Sequence, residues 1–339
     1  MTHVDAGDTA RVMFFPAEGR AEWRPEPMPE PGRGQILCRT LYSGISNGTE
    51  RNHLTAGNYG RRFPAGIGYQ KVARVEAVGP GVEQFSVGDT VFSGVVGKHA
   101  DRFLENVAEP EGERNLVAHL PDNVDPVEAA LLGVAGVAMH DVRRAGVGLG
   151  ERVLVVGGGL IGQFTAQAAL AAGAHVTLCN RGQQRLDIAR ELGIQDPFRI
   201  AGDESWQQLR DRGGFDAVFE TSSGDVLDQI IGRTGGPAGG MLRRGGRLLI
   251  IGGRFDVTFD CNLAQFQALT LMFASHFRRP DLHTLLRLVG EGRIRVGPLL
   301  KDVVPIRDAE RTYQRLYEDP ASMLGTVFDW TDGASAAKG

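Results

Sequence analysis

The stretch Val153 to Gln163, VLVVGGGLIGQ, decides the fold. Four apolar β-branched or aliphatic residues read as a strand, and a helical pattern follows immediately as LIGQFTAQAALAAG. Between them stand Gly157, Gly159 and Gly162, in the GxGxxG spacing. Each glycine answers a separate need: the first makes the tight turn, the second lets the backbone approach a pyrophosphate, and the third lets helix and strand pack closely. Leu160 and Ile161 open the helix, where free amides and the positive end of the helix dipole are aimed at an anion. In a chain with 47 glycines the spacing alone is weak. The next strand, HVTLCN at 175–180, arrives at the distance a βαβ unit requires and makes a plain tight turn the minority reading.

Working outward, the alternation continues. QQRLDIARELG is a helix with Leu186, Ala189 and Leu192 on one face and Gly193 closing it, while FDAVFETSSG and GGRLLIIGG are nearly unbroken apolar runs. Such runs suit parallel strands covered on both faces, so the expected fold is α/β with a doubly wound parallel sheet. Upstream the texture differs. RVMFF, QILCRTLYSGI, KVARVEAVG and DTVFSGVV are short strands separated by Gly/Pro breakers, and a helix pattern begins at LPDNVDPVEAALL. The tail DVVPIRDAERTYQRLYEDP reads as strand, helix and a stop at Pro320; residues 332–339 are expected to be disordered.

The end of the second strand of the dinucleotide unit discriminates between cofactors. An acidic residue there would accept hydrogen bonds from ribose hydroxyls; this chain has Asn180, then Arg181, then Arg185 one turn later. A neutral donor and two cations suit a 2′-phosphate, so NADP(H) is expected over NAD, and two solvated surface arginines are the lesser reading. Thr221 to Gly224, and Gly252 with Gly253, fall at the carboxyl ends of neighbouring strands, the edge where a dinucleotide lies.

Composition narrows the class. Hydrophobic residues at 42% and charged residues at 23% are an ordinary globular balance, and a net charge of −4 speaks against a nucleic-acid partner. No apolar run is long enough to cross a bilayer, and no basic region followed by an apolar stretch opens the chain, so neither membrane nor secretory targeting is expected. Cys38, Cys179 and Cys261 stand too far apart in sequence to suggest a disulfide framework or a close metal-ligand pair. A cytoplasmic location is the expectation.

Taken together, YSGISNGTE, GIGYQKVARVEAVGPGVEQFSVGDTVF, LPDNVDPVEAALL, MHDVRRAGVGLGERVLVVGGGLIGQ, GGRLLIIGG and PIRDAERTYQRL make the chain resemble the medium-chain dehydrogenase/reductase superfamily over about residues 11 to 330. Within it, YSGISNGTE and the tyrosine of GIGYQ are similar to the branch containing bacteriochlorophyllide a dehydrogenases. The resemblance implies a GroES-like β-rich catalytic domain, 1–122 completed by 296–331, interrupted by a Rossmann NADP-binding domain at 123–295. It also implies hydride transfer between NADP(H) and a secondary alcohol or ketone. Reduction of an activated C=C bond, as in enone or quinone reductases, is the alternative, and an inactive dinucleotide-binding regulatory protein a second one.

Departures from the family pattern carry further information. Where zinc-dependent members place a cysteine, Ser46 and Asn47 stand; where they place His-Glu, this chain has Tyr69-Gln70; where a third ligand falls, it has Gly133. These groups cannot supply the N, S or O ligands that zinc needs, and no four-cysteine lobe is present, so no metal is expected. A rescue set from His53, His99 and His140 has plainer readings: a loop histidine, a strand position often filled by an aromatic, and a packed helix histidine. Without a metal, hydrogen-bond donors must steady the reacting oxygen. Tyr69 and Asn47 are the candidates by position, and Thr49 matches a hydroxyl that relays protons in relatives. A packed aromatic plugging the site is an equal reading of Tyr69. Glu50 is expected to pair with an arginine, and Tyr59, Arg61 and Arg62 to lie in a loop bordering the substrate. The segments LENVAEPEGERN and RTGGPAGG read as insertions. The apolar LTLMFAS, expected at a sheet edge, predicts a homodimer.

Overall fold

The computed structural model describes residues 9–59, 62–66, 68–109, 112, 114–235 and 239–331. Arg61, the tail from 332, and parts of the two insertions lie outside them. The chain divides into two compact units, one of residues 1–134, 278–291 and 299–339, the other of 135–277 and 292–298.

The first unit is β-rich. Its strands are β1 (Thr9–Phe14), β2 (Glu22–Pro27), β3 (Gln35–Gly44), β4 (Lys71–Val78), β5 (Thr90–Ser93), β6 (Arg102–Asn106) and β7 (Val117–His119), with helix α1 (Asn47–Leu54) after β3. β3 alternates inward residues Ile36, Cys38 and Thr40, all buried, with half-exposed ones, the period-2 pattern of a strand with one covered face. β2 escaped sequence reading because EWRPEP has two prolines and no apolar alternation. It forms because it pairs with β1 alone, where a missing amide is tolerated. After β7, Asp125 caps the short α2 (Pro126–Ala129), accepting from the Val127 and Glu128 amides, with Pro126 at the first helical position. Helix α3 (Leu132–Arg144) leads into the second unit.

There the expected βα alternation is found: β8 (Arg152–Val156), α4 (Leu160–Ala171), β9 (His175–Asn180), α5 (Gln183–Glu191), β10 (Asp196–Arg199), α6 (Asp203–Asp211), β11 (Phe215–Glu220), α7 (Leu227–Ile231), β12 (Leu242–Ile250), α8 (Cys261–Phe266) and β13 (Thr270–Met272). All six strands are parallel, in the order β10-β9-β8-β11-β12-β13, which is the 3-2-1-4-5-6 order of the dinucleotide-binding sheet. Every residue of β11 is buried, as its apolar run requires. β10 contains Pro197 and sits at one edge, the place where a strand proline costs least. β13, within the predicted edge segment, forms the other edge.

The chain then returns to the first unit through α9 (Arg279–Gly290), β14 (Leu300–Pro305), α10 (Ala309–Glu318) and β15 (Gly325–Asp329). β15 pairs antiparallel with β3 and parallel with β14, completing a seven-stranded sheet from opposite ends of the sequence. α1 packs on α10. Around them Phe15, Ile45, Leu54, Tyr313, Phe328 and Trp330 form one core cluster.

Candidate functional site

In the second unit, the turn and the close packing assigned to Gly157 and Gly162 are both present. Gly157 has φ +110°, a conformation that disfavours any side chain. A Cβ on Gly162 would lie 1.9 Å from the Gly157 carbonyl oxygen, so only glycine lets α4 close on the turn. At Gly159 a Cβ would meet nothing within 4 Å, leaving that face of the loop open to a ligand. Leu160 and Ile161 begin α4, where their amides have no carbonyl one turn back.

Around this loop the strand ends converge. Asn180 accepts from the Gly158 amide at 3.1 Å and donates to the Gly182 carbonyl at 3.0 Å, so its side chain ties the end of β9 to the glycine loop. Arg185 lies beside it: a Cβ on Gly158 would be 3.0 Å from the Arg185 Cβ and 3.1 Å from Asn180 Cγ. Burial lowers the Arg185 guanidinium pKa below its ordinary value, while Arg181 is exposed. Thr221 donates to the Val156 carbonyl at 2.9 Å, and a Cβ on Gly252 would sit 2.5 Å from the Ser223 amide nitrogen, so the loops after β8, β11 and β12 touch.

Sequence reasoning missed four residues here. Arg199 ends β10 in register with Asn180, adding a third arginine to the strand end. Gln163, fully buried, donates to the Arg185 carbonyl at 2.7 Å. Glu220, at 0% exposure, ion-pairs with Arg254, which also reaches the Gly252 and Gly224 carbonyls, while its other oxygen accepts from the Ser222 amide at 2.7 Å. That pair stitches together the two loops that Thr221 and Gly252 represent.

In the first unit, Tyr69 is buried, with its hydroxyl 2.7 Å from Ser46 Oγ. Burial, helped by the nearby Glu50 carboxylate, raises its pKa; hydrogen bonds with Ser46 and Thr49 oppose this less strongly. The phenol therefore keeps its proton and can act as a donor. Asn47 and Thr49 lie in the first turn of α1, and the side-chain carbonyl oxygen of Asn47 is buried without a partner among the described residues. Gln70 accepts from the Val134 amide at 3.1 Å. A Cβ on Gly133 would lie 2.7 Å from Gln70 Cβ and 2.9 Å from Tyr69 Cε2. Positions 46, 69, 70 and 133, read from the sequence as the counterparts of metal-ligand positions, thus come together, bearing a hydroxyl, a phenol, an amide and no side chain. That donor set does not fit zinc. Among the described residues, no group of three or more His, Cys, Asp or Glu is gathered to hold a metal ion.

Glu50 departs from expectation. Among the described residues it pairs with no arginine; its carboxylate is fully buried and accepts from the Ser46 amide at 2.7 Å, the Tyr313 hydroxyl at 2.7 Å and His99 Nε2 at 3.2 Å. His99 Nδ1 meets Ser43 Oγ at 2.9 Å, and Ser43 accepts from Trp330 Nε1 at 2.8 Å. One hydrogen assignment satisfies the whole chain: indole to serine, serine to Nδ1, Nε2–H to carboxylate. His99, buried and edge-on to Phe328, is thus a network member, and His53 lies in the last turn of α1 instead of a loop. His140 is in α3. Tyr59 and Arg62 are exposed.

A parallel sheet in this order with a glycine-rich first crossover, in a chain that also carries a β-rich unit completed by the tail, defines the GroES-like plus Rossmann architecture. Family models bear this out: the alcohol dehydrogenase GroES-like domain matches residues 32–194 and the zinc-binding dehydrogenase model residues 161–291. The chain belongs to the medium-chain dehydrogenase/reductase superfamily. It is 27% identical over 327 residues to the 2-dehydro-3-deoxy-L-galactonate 5-dehydrogenase of Pseudoalteromonas atlantica, covering 88% of this chain and 92% of that protein. It is also 27% identical over 325 residues to the 2-desacetyl-2-hydroxyethyl bacteriochlorophyllide A dehydrogenase of Rhodobacter capsulatus, covering 89% and 92%. An Escherichia coli oxidoreductase/dehydrogenase of unknown specificity shares the fold with a TM-score of 0.80 at 20% identity, covering 95% and 99% of the two chains. The chain is accordingly an oxidoreductase with alcohol dehydrogenase-like chemistry on a small molecule, and a nicotinamide dinucleotide is the cofactor of its class. No helix among the described residues is long and apolar enough to cross a membrane.

Proposed function

We propose that the chain is a zinc-independent, NADP(H)-dependent dehydrogenase acting on a secondary alcohol or ketone of a biosynthetic metabolite, as a cytoplasmic homodimer. The observation that carries this reading is the contact of Tyr69 and Gln70 with Gly133: ring and amide fill the space in which side chains would have to converge on a metal. When bound, the dinucleotide supplies or accepts the hydride. Gly157, Gly159, Leu160, Ile161 and Gly162 would hold its pyrophosphate, and Asn180, Arg181 and Arg185 its 2′-phosphate, with Thr221 and Gly252 at the nicotinamide end. Tyr69, kept protonated by burial, would donate to the substrate oxygen. Asn47 offers its unpartnered carbonyl to the hydroxyl of an alcohol substrate, and Thr49 passes the proton onward. Support for the dimer is the β13 edge, flanked by Phe266 and Phe273 at 75% and 55% exposure.

Metal analysis with NADPH and NADH titrations of the purified protein tests the proposal. The expected result is zinc far below one per chain, NADPH bound at least about tenfold more tightly than NADH, and ketone turnover in a carbonyl panel. Stoichiometric zinc sinks the metal-free mechanism, an NADH preference sinks the role of the arginines, and turnover confined to enones moves the reaction to C=C reduction.

A further inference from the structure

A cavity of about 270 Å³ lies within the first unit, apart from Tyr69, Ser46, Asn47 and Thr49, none of which lines it. Its apolar wall includes Val12, Pro27, Val96, Phe103 and Leu104, and its ionic groups are Glu26, Lys71, Lys98, Arg102 and Glu105. Four of these five have close polar partners. Glu26 is bound by Lys98 at 2.8 Å and by Arg24, Arg102 by Glu76 at 2.6 Å, and Glu105 accepts from Ser93 Oγ at 2.6 Å.

Lys71 is the exception. Its side chain is 2% exposed, yet its ammonium makes one long hydrogen bond, 3.5 Å to the Lys98 carbonyl, and otherwise lies 3.9 Å above the Phe103 ring. Among the described residues no carboxylate forms an ion pair with it. An ammonium carries three donors, and burying them without acceptors is costly. Burial accordingly lowers the Lys71 pKa, with Glu105 opposing from a distance. Burial likewise raises the Glu105 carboxyl pKa, with Lys71 and the Ser93 hydrogen bond opposing.

We infer that this cavity is a binding site for a small monocarboxylate with a short apolar body, its carboxylate on Lys71 Nζ and its chain against Val96, Phe103 and Leu104. The volume lies just below the range that holds drug-sized ligands, which sets the ligand at metabolite size. A carboxylate supplies the missing acceptor for Nζ, in a pocket whose other cations already have anions. The site stands independently of the dehydrogenase reading.

Fluorine NMR titration of the full chain with trifluorobutyrate tests the inference. Saturable binding is expected, displaced by butyrate but not by butanol. Lys71→Met should weaken it by about tenfold or more, since a charge-assisted bond is lost, and Val96→Trp, placed at a 59% exposed wall residue, should obstruct it similarly. Tyr69→Phe should leave it unchanged. Non-saturable binding, equal competition by butanol, or sensitivity to Tyr69→Phe would overturn the inference. So would full affinity in a Lys71→Met protein that melts like its parent. Should that variant not fold, unaltered binding in Val96→Trp has the same force.

Discussion

The glycine loop of the second unit and the Glu50 network of the first are built on opposite principles. The loop is a backbone device: Gly157, Gly159 and Gly162 act through φ, clearance and close approach, all within six residues of chain. The network is a side-chain device assembled from Ser43, Ser46, Glu50, His99, Tyr313 and Trp330, which span most of the sequence. A site made by backbone tolerates almost any neighbouring side chain and is broken by a single methyl group. One made of buried side chains tolerates small shape changes and is broken by a single unmatched donor or charge.

That contrast predicts the largest effect at Glu50. Glu50→Ala leaves an amide, a phenol and an imidazole unpaired in the core and should cost about 3–5 kcal/mol, read as a lower melting temperature, with Glu50→Gln costing less. A shift near zero would show that the network carries no stability. Tyr69→Phe should cut kcat by about a hundredfold to a thousandfold, the loss typical of one oxyanion donor, with NADPH affinity unchanged in a fluorescence titration. A loss of NADPH affinity with kcat intact would place the phenol in cofactor binding. Gly162→Ala should weaken NADPH binding by up to about a hundredfold, as overpacking of about 1–3 kcal/mol implies. Unchanged binding would mean that α4 can move off the loop. Arg185→Ala should lower the NADPH over NADH preference by about tenfold, and steady-state KM values for both cofactors check it.

The smallest effect is in alkali. Tyr69 and Tyr313 both have raised pKa values, because burial disfavours the phenolate. Their contribution to stability is therefore complete below the unfolded phenol pKa of about 10 and is lost as pH rises through and above it. Denaturant midpoints measured across that range should fall with pH, and less steeply in Tyr69→Phe. Equal slopes would remove the buried phenol as the cause.

Legibility followed the same division. Asn180 and Arg185 were readable because they lie a fixed distance from the glycine loop, and the structure puts both against Gly158. Arg199 was not, since it reaches Asn180 through strand pairing, not spacing. Positions 46, 69 and 133 were legible through resemblance, and their convergence followed. Glu50 was misread: an arginine partner was expected, whereas α1 turns the carboxylate inward to His99 and Tyr313. β2 and β10 were missed because prolines mask a strand whose pairing lies on one side only.

By itself the sequence determined the parallel sheet, the phosphate-binding turn and the β-rich first unit, because apolar periodicity and glycine sterics act over a few neighbouring residues. Only the tertiary structure decided what surrounds Glu50 and Lys71. Burial and hydrogen-bond partners depend on which distant strands and helices meet, and no local pattern in the chain encodes that meeting.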